Sequence, residues 1–476
     1  MWGVWGAPGL HAQQWRARVA TRAQYVEARG LVLDSVPVGQ VTGSGAQRQF
    51  GDILVTCETG ATHCYYYRSG DEFSTLPVWL DMDINVFGLG VEGLRLYASG
   101  RFRGALGSSD EKFWPRTEDN FDLLAGYAEL NRRSYRIRLG RDYQVSGLGY
   151  YGYDGGSIVF RYRPARAELE AYGGIGLERG LPERVTSTSL ESLAEFQPAD
   201  DNYLFGFRGS FGPLKGFAGE AIYQREIDTD RSGISSERLG FEARYTTANG
   251  KWIIDGHADY DLATGWWGKA GAKLAWQASR LLFLEGRLFR YRPVFSLQTI
   301  WAAFSPTGYK GWGLALGLNP GYGLTVRAEV DRRQYSETGA EVSYYATTDR
   351  TWRTGIWARW QPRYKWDVEG GYWLNWGFGS GMSAGDLKFN YHPRSDLSLG
   401  ARFSAVQQIW EFRIGEGLIY GAGIDARWRT PAGTVWALLE GYRHDHKDDA
   451  AQTDWTQLRA VLGISYYLGS EPGRTQ

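Results

Sequence analysis

The chain has 476 residues with 53 basic and 53 acidic side chains, so its net charge gives no reason to expect nucleic acid or an anionic surface as a partner. It is rich in Gly (64), Trp (21), Tyr (30) and Phe (21) and poor in Cys (2), Met (3) and His (6), a balance typical of strands rather than packed helices. No apolar run approaches the roughly 18 residues that a membrane helix needs, which excludes a helical membrane protein.

The N-terminal segment MWGVWGAPGLHAQQW is apolar up to Ala12 and lacks a basic n-region. It is typical of the end of a secretory signal, with Ala12 as a candidate cleavage site. We therefore interpret residues 1–13 as a residual signal or N-terminal extension. Residues 14–468 form the predicted folded unit, and residues 469–476 form a C-terminal tail.

Apolar and polar residues alternate in segments of about ten from residue 14 to residue 468, which is the period of a strand with two different faces. In LTVRAEVDR, Leu324 and Val326 begin an apolar face, and the charged residues lie on the other. The segments LDMDINV, IIDGHADYD and YGAGIDARWR repeat this pattern. Counting such segments predicts about 22 strands, within a range of about 18 to 26.

The separators between these segments alternate in length along the chain. The short ones are rich in turn-forming or basic residues: GVEG, RRS, RPAR, FGPLKG, TANGK, QASR, NPGYG, QPRYK, HPRSD and TPAG. The long ones are residues 31–74, 105–119, 177–200, 227–235, 294–308, 337–349 and 444–454, with short exceptions near 263 and 377. This pattern predicts an all-β fold: a transmembrane antiparallel up-and-down barrel with short periplasmic turns, long extracellular loops and no plug domain.

Two soluble all-β folds fit the sequence less well. A β-propeller needs a blade repeat of roughly 40 to 50 residues, and the sequence lacks one. A soluble barrel has an apolar interior, whereas the polar faces here are crowded with charges that need a water-filled lumen. We therefore place the chain in the bacterial outer membrane, with the lipid bilayer, lipopolysaccharide and the barrel assembly machinery as partners.

The closing segment LRAVLGISYYLG supports this location. Its alternate residues form a predicted lipid-facing row: Leu458, Ala460, Leu462, Ile464, Tyr466 and Leu468. An aromatic-rich final strand is similar to the recognition signal of outer-membrane barrels, and here Tyr466, Tyr467 and Leu468 would form that assembly signal. The segment SEPGRTQ follows it, which departs from the usual pattern.

Charged residues on the polar faces predict the lining of the pore. A basic sector contains Arg95, Arg101, Arg103, Arg136, Arg138, Arg161 and Arg163. A mixed, more acidic sector contains Asp255, His257, Asp259, Arg327, Glu329, Asp331, Asp367, Glu369 and Arg427. Rings of Arg and Lys select anions in pores, so we expect the basic sector to face the solute. The mixture of signs predicts a zoned wall rather than a strong charge filter.

His257 shares its polar face with Asp255 and Asp259. These side chains could form a rung that binds cations, or an ordinary pore wall whose charges pair between strands. The second interpretation is favoured because Lys269 and Lys273 follow on the next strand and can neutralise the carboxylates.

Cys57 and Cys64 lie in the first long connection, where an oxidising compartment favours a local disulfide. A zinc site there would need more ligands than His63. The segment GYRHDHKDDAAQTD places His444, Asp445, His446, Lys447, Asp448 and Asp449 in what we expect to be a hydrated outer loop. No C-x-x-C-H motif occurs, and we expect no bound metal or cofactor.

Residues 135–174 contain Leu139, Gly140 and Arg141 at an expected strand end, a Gly-rich stretch, and then Asp154 and Gly155. This segment resembles a hairpin of porin-like and alginate-export-like outer-membrane barrels. The resemblance covers under a tenth of the chain. It implies a channel-like barrel and identifies no substrate.

The width of such a barrel raises the question of what fills it. An energised transporter of this size carries an N-terminal plug, but only residues 1–13 precede the first strand, and an unplugged barrel would leak. In one hypothesis, loops 31–74 and 177–200 fold inward and the protein is a channel that passes or exports small polar solutes. In the other, the barrel is a sleeve around a partner such as a multihaem c-type cytochrome. The channel ranks first because it needs no partner.

Enzymatic motifs are absent from the sequence. There is no serine nucleophile elbow, HExxH, phosphate loop or dinucleotide fingerprint. We therefore expect a protein without enzymatic activity.

Overall fold

Segments with two different faces form antiparallel strands throughout the described part of the chain. The computed structural model describes residues 14–106, 120–177, 198–229, 233–292, 308–335, 349–377, 380–411, 415–446 and 454–469. Within these ranges, no helix is long and apolar enough to cross a membrane. Residues 1–13 and 470–476 lie outside the described residues.

The strands follow one another along the chain, and the described residues include two single-turn 3-10 segments between strands. They are β1 (Gln14–Pro37), β2 (Gln47–Phe50), β3 (Ile53–Cys57), β4 (His63–Phe87), β5 (Leu94–Leu106), β6 (Phe121–Asn131), β7 (Tyr135–Ser146), β8 (Gly149–Tyr162), β9 (Ala167–Leu177), β10 (Pro198–Leu214), β11 (Phe217–Asp228), β12 (Gly233–Thr246), β13 (Trp252–Asp261), β14 (Trp266–Gln277), β15 (Leu282–Tyr291), β16 (Tyr309–Gly321), β17 (Leu324–Tyr335), β18 (Arg350–Arg363), β19 (Trp366–Gly377), β20 (Ser380–Arg394), β21 (Leu397–Glu411), β22 (Gly415–Thr430), β23 (Gly433–His446) and β24 (Trp455–Gly469).

The sheet closes on itself because β1 pairs with both β4 and β24. Ala20 lies opposite Asp81 on one side and Ser465 on the other. Strands β2 and β3 pair with each other inside the connection between β1 and β4, so 22 of the strands form the barrel. The predicted barrel and its strand number are confirmed. Closure removes the exposed strand edges that an open sheet of this size would have.

The two ends of the barrel differ as predicted. All ten predicted short turns lie at the same end, which also holds the start of β1 and the end of β24. The longer connections lie at the opposite end. The connection between β7 and β8 at that end, residues 147–148, is also short, which the alternation of separator lengths did not predict.

The outer surface of the barrel is apolar. Leu288 and Leu462 are examples, with 65% and 50% of their side-chain surface exposed. Outward Trp residues lie near both ends: Trp252, Trp276, Trp360 and Trp366 near the short turns, and Trp267, Trp312, Trp352 and Trp376 near the long loops. An apolar band between two aromatic belts is typical of a barrel that is surrounded by lipid.

Residues 31–74, which we predicted to be a loop folding into the lumen, are mostly strand. Above Ala28 and Leu76, strands β1 and β4 pair only with each other, and they continue to the pair Pro37 and His63. They form a protruding hairpin beyond the barrel rim. Ser69 Oγ donates to the Asp454 carbonyl oxygen at 2.6 Å and ties the hairpin to the start of β24.

The protruding hairpin is closed by a small cap of its own. Cys57 and Cys64 form a disulfide with an S–S distance of 1.97 Å, and they are buried with Val36 and Val55. Below the cap, Arg68 Nε donates to Asp34 at 2.6 Å, which holds the pKa of the Asp34 carboxyl below its usual value. Among the described residues, β2 and β3 pair with no barrel strand other than β4.

We predict that Leu462→Arg destabilises the barrel by about 2–4 kcal/mol if the residue lies near the bilayer midplane, because an unpaired cation would face lipid. The control Arg459→Leu, on the lumen face of the same strand, should cost less. In this control variant the buried Glu440 carboxylate keeps a second partner, Arg402, whose Nη1 lies 3.5 Å from it. Urea unfolding in liposomes measures both costs, and equal costs would contradict the assignment of faces.

The disulfide should stabilise the cap and not the barrel. In the double variant Cys57→Ser/Cys64→Ser, trypsin should cleave faster after Arg48, which lies in β2 inside the cap. The barrel should keep its gel mobility as a folded species, since its ladder is independent of the cap. Loss of barrel assembly in this variant would contradict the prediction.

Candidate functional site: the lumen and its inward hairpin

A constriction of the lumen is formed by the ends of β7 and β8. Residues 141–154 are here called the inward hairpin, and the short turn 147–148 forms its tip. A Cβ atom on Gly147 would lie 2.6 Å from Oε1 of Glu242 on β12. Because β9, β10 and β11 separate β8 from β12 in the wall, the tip must leave the wall and cross part of the lumen to make this contact.

Arg238 on β12 holds the tip in place. Its Nη1 donates to the Leu148 carbonyl oxygen at 2.8 Å and to the Tyr151 hydroxyl at 3.0 Å. Its Nη2 lies 2.5 Å from Oδ2 of Asp259 on β13. One lumen guanidinium therefore joins the inward hairpin to two wall strands, and hydrogen bonds from a charged donor are worth about 1.5–3 kcal/mol each.

Apolar packing fixes the same position. The hairpin residues Leu148, Tyr151 and Tyr153 are buried in one cluster with three wall residues, listed as Tyr172, Leu204 and Ile222. The rings of Tyr153 and Tyr172 stack with centroids 5.8 Å apart. This is an apolar core inside an otherwise polar lumen. The opposite face of the hairpin is exposed and carries the stacked pair Tyr143 and Tyr150.

The hairpin leaves the wall at the motif found in the sequence. Gly140 and Gly155 lie opposite each other, and the adjacent pair is Arg141 and Asp154. Gly140 has a φ of 128°, and a Cβ there would lie 2.2 Å from the Gly126 carbonyl oxygen, so only glycine fits. The motif is therefore in the middle of two strands, and the expectation of a strand end followed by a Gly-rich loop was wrong.

Arg141 and Asp154 form a clasp on the outer face of the barrel. Arg141 Nε and Nη2 each lie 2.6 Å from an oxygen of Asp154, which makes the pair bidentate. Arg141 Nη1 also donates to the Leu123 carbonyl oxygen at 2.9 Å. The ladder between β6 and β7 stops at the pair Gly126 and Arg141, so the clasp joins three strands where backbone pairing ends.

The predicted basic sector lies mostly on the lumen face, but its charges are paired. The contacts are Arg95 with Glu129 (2.8 Å), Arg101 with Asp81 (2.6 Å), Arg103 with Asp122, Arg136 with Glu170 (3.9 Å), Arg138 with Glu129 (2.7 Å) and Asp142 (3.0 Å), and Arg161 with Glu168 (3.2 Å). Arg163 differs from the prediction: it begins the short turn between β8 and β9 and does not lie on the wall. Most of the acidic partners come from other strands, and Asp142 lies on the same strand as Arg138, so the sector is not a basic surface.

The predicted mixed sector is paired in the same way. The contacts are Lys273 with Asp255 (2.9 Å), Arg238 with Asp259 (2.5 Å), Arg327 with Glu329 (3.7 Å), Arg287 with Asp331 (2.7 Å), Arg359 with Asp367 (2.5 Å) and Trp357 with Glu369 (3.1 Å). Arg427 lies on the lumen face opposite Trp436. Asp255, Asp259, Asp331 and Asp367 pair with cations of other strands, whereas Arg327 and Glu329 are on the same strand and Glu369 accepts a hydrogen bond from the neutral Trp357.

His257 lies in a small cavity under the hairpin tip. Gly147, Glu242, Asp259 and Lys269 line the same cavity. The Lys269 backbone N–H donates to Asp259, and the counter-charge of Asp259 is the Arg238 guanidinium rather than the Lys269 ammonium group that we expected. Among the described residues, no group of three or more His, Cys, Asp or Glu side chains could hold a metal ion.

The histidine cluster near the C-terminus is only partly a loop. His444 and His446 belong to β23, and His444 is 3% exposed and stacks on Trp455 with ring centroids 5.6 Å apart. The expectation of a hydrated loop was therefore wrong for His444, Asp445 and His446. Lys447, Asp448 and Asp449 lie outside the described residues. At the other end of β24, Tyr466 and Leu468 face outward and Tyr467 lies on the opposite face, opposite Arg18.

The residues that position the constriction were missed by the sequence analysis. Arg238, Leu148 and Tyr151 meet only because the hairpin bends across three strands. The available signal was the apolar Leu148 at a hairpin tip, where a polar residue is usual. Of the loops predicted to constrict the lumen, residues 31–74 protrude, and most of 177–200 lies outside the described residues.

Comparison with known proteins finds structural likeness only. No protein-family model and no curated protein sequence matches the chain. Pseudomonas aeruginosa OpdK with vanillate aligns at 10% identity and a TM-score of 0.40, covering 96% of this chain and 98% of that one. A BenF-like porin from Pseudomonas fluorescens Pf-5 aligns at 10% identity and 0.41, and Acinetobacter baumannii OccAB4 at 8% and 0.42, with the same coverage.

We predict that Asp154→Leu destabilises the barrel by about 2–4 kcal/mol, because it removes the carboxylate that balances the Arg141 charge on an apolar outer surface. The double variant Arg141→Leu/Asp154→Leu should recover part of that cost, since it removes the charge as well. Urea unfolding in liposomes would measure both. If the double variant loses as much unfolding free energy as Arg141→Leu and Asp154→Leu lose together, the two side chains act independently.

Proposed function

We propose that this chain is a channel of the bacterial outer membrane that passes small polar and charged solutes through a lumen narrowed by the inward hairpin. The membrane location is supported by the apolar outer surface and its two aromatic belts. Closure of the hydrogen-bonded ring supports it too, since backbone groups in a bilayer must be paired within the protein. The short turns would then face the periplasm.

The inward hairpin is the observation that carries the channel proposal. Barrels of about 16 to 18 strands already enclose an aqueous channel, and the ring here has 22 strands. The hairpin narrows the lumen with residues of the chain itself. A sleeve around a folded multihaem cytochrome needs an unobstructed lumen, and the anchored tip occupies part of that space. The sleeve therefore remains the second proposal.

The charge pattern indicates the class of solute. Carboxylates and guanidiniums alternate around the wall and neutralise one another, so the lumen does not form a ring of a single sign. We infer weak selection by charge and passage of solutes of either sign. Discrimination by size would occur at the hairpin, where the exposed Tyr143 and Tyr150 offer aromatic faces.

The purified chain should conduct ions in planar bilayers. Single-channel steps from the isolated protein would support the channel over the sleeve. A haem-staining protein that copurifies from the native membrane, together with no conductance from the isolated chain, would instead support the sleeve.

We predict that Arg238→Gln loosens the hairpin and adds conductance levels above that of the wild type. The variant loses two hydrogen bonds from a charged donor, worth about 1.5–3 kcal/mol each, while Asp259 keeps its bond from the Lys269 backbone N–H. The matched control is Arg359→Gln, which also breaks an Arg–Asp pair on the lumen face but touches only Asp367. Identical conductance of both variants would contradict a constricting role for the hairpin.

A further inference from the structure

We infer that the outer surface near the long-loop ends of β15, β16 and β17 binds the phosphate groups of a lipid headgroup. The site consists of Arg290, Lys310 and Arg332, here called the basic patch. The inference deepens the proposed function, because it rests on the membrane location but not on conduction.

The strand register brings the three cations together on the outer face. Arg290 and Lys310 lie directly opposite each other on β15 and β16. Arg332 on β17 lies opposite Trp312, which is the next outward residue below Lys310. Directly opposed side chains on one face have Cβ atoms about 4.5–5.5 Å apart, and diagonal neighbours about 7–8 Å. One phosphate group can therefore reach all three side chains.

The charges of the basic patch are not balanced by the described protein. None of the three side chains has a carboxylate within ion-pair distance among the residues that the structure describes. The acidic residue next to this face, Asp349, already accepts from Gln334 at 3.2 Å and lies 3.5 Å from Arg350. Like charges directly opposite each other destabilise a sheet, so an external anion would stabilise this one.

The depth of the patch identifies the source of that anion. Trp312, Trp352 and Trp376 form a run of ring contacts on the same face, and Arg332 lies over the Trp352 ring at 5.8 Å. Further from the rim, Leu288 and Leu314 are exposed. Trp residues mark the level of the lipid headgroups, so Arg290 and Lys310 lie at that level or just beyond it. Guanidinium groups match phosphate oxygens in a bidentate geometry.

The test measures binding of lipid A, which carries two phosphate groups, to the detergent-purified barrel. The triple variant Arg290→Gln/Lys310→Gln/Arg332→Gln should bind it on the order of a hundredfold more weakly, since each such cation contributes about 1 kcal/mol near an anionic lipid surface. The matched control is Arg280→Gln/Arg363→Gln/Lys365→Gln, which removes the same charge at the short-turn end and should bind as the wild type does.

Each outcome has a defined meaning. Equal binding by the triple variant and the wild type, or an equal loss in the control, would overturn the inference. Competition by millimolar inorganic phosphate as effective as lipid A would also overturn it, since the lipid would then add nothing. Gel mobility of the folded barrel verifies that the triple variant assembles. Single-channel conductance separates the two proposals, because the variant should conduct normally and a non-conducting wild type would contradict only the channel.

Discussion

Closure of the ladder between β1 and β24 is the constraint on which the rest of this structure depends. A bilayer offers no hydrogen bonds to the backbone, so every strand of the wall needs two neighbours. The closed ring satisfies this and forces alternate side chains to opposite environments, lipid or lumen. The apolar outer surface and the charged lumen follow from that division. Residues above the rim, such as those of the protruding hairpin of β1 and β4, are not subject to it.

The chain leaves the wall of the barrel at the inward hairpin, and strands β6 and β7 lose backbone pairing there. When β7 and β8 bend inward, the ladder between β6 and β7 ends at Gly126. The clasp of Arg141 and Asp154 restores a side-chain connection at that point and satisfies the Leu123 carbonyl oxygen. On the lumen side, Arg238 and the apolar cluster stabilise the bent position. The constriction therefore depends on interactions on both faces of the wall.

Charge pairing explains how a neutral chain can line a wide lumen with ionised groups. Many lumen guanidiniums contact carboxylates of nearby strands, as Arg287 on β15 contacts Glu329 and Asp331 on β17. Such pairs cost little in a hydrated lumen and keep long side chains against the wall. The basic patch on the outer face is the contrast, since its three cations have no such partners among the described residues.

The barrel, its approximate strand number, the two faces of most strands and the end that holds the ten short turns follow from the amino-acid pattern alone, because a period of two and the turn chemistry are local properties. Leu462 and Arg459 could be assigned to opposite faces on that basis alone. Tertiary contacts set which residues constrict the lumen and which cations lack a carboxylate partner among the described residues. Contacts such as Arg238 with Leu148 join residues 90 positions apart, and they depend on a bend at Gly140 that no local pattern specifies. The same applies to Arg163 and His444, whose environments depend on where neighbouring strands begin and end.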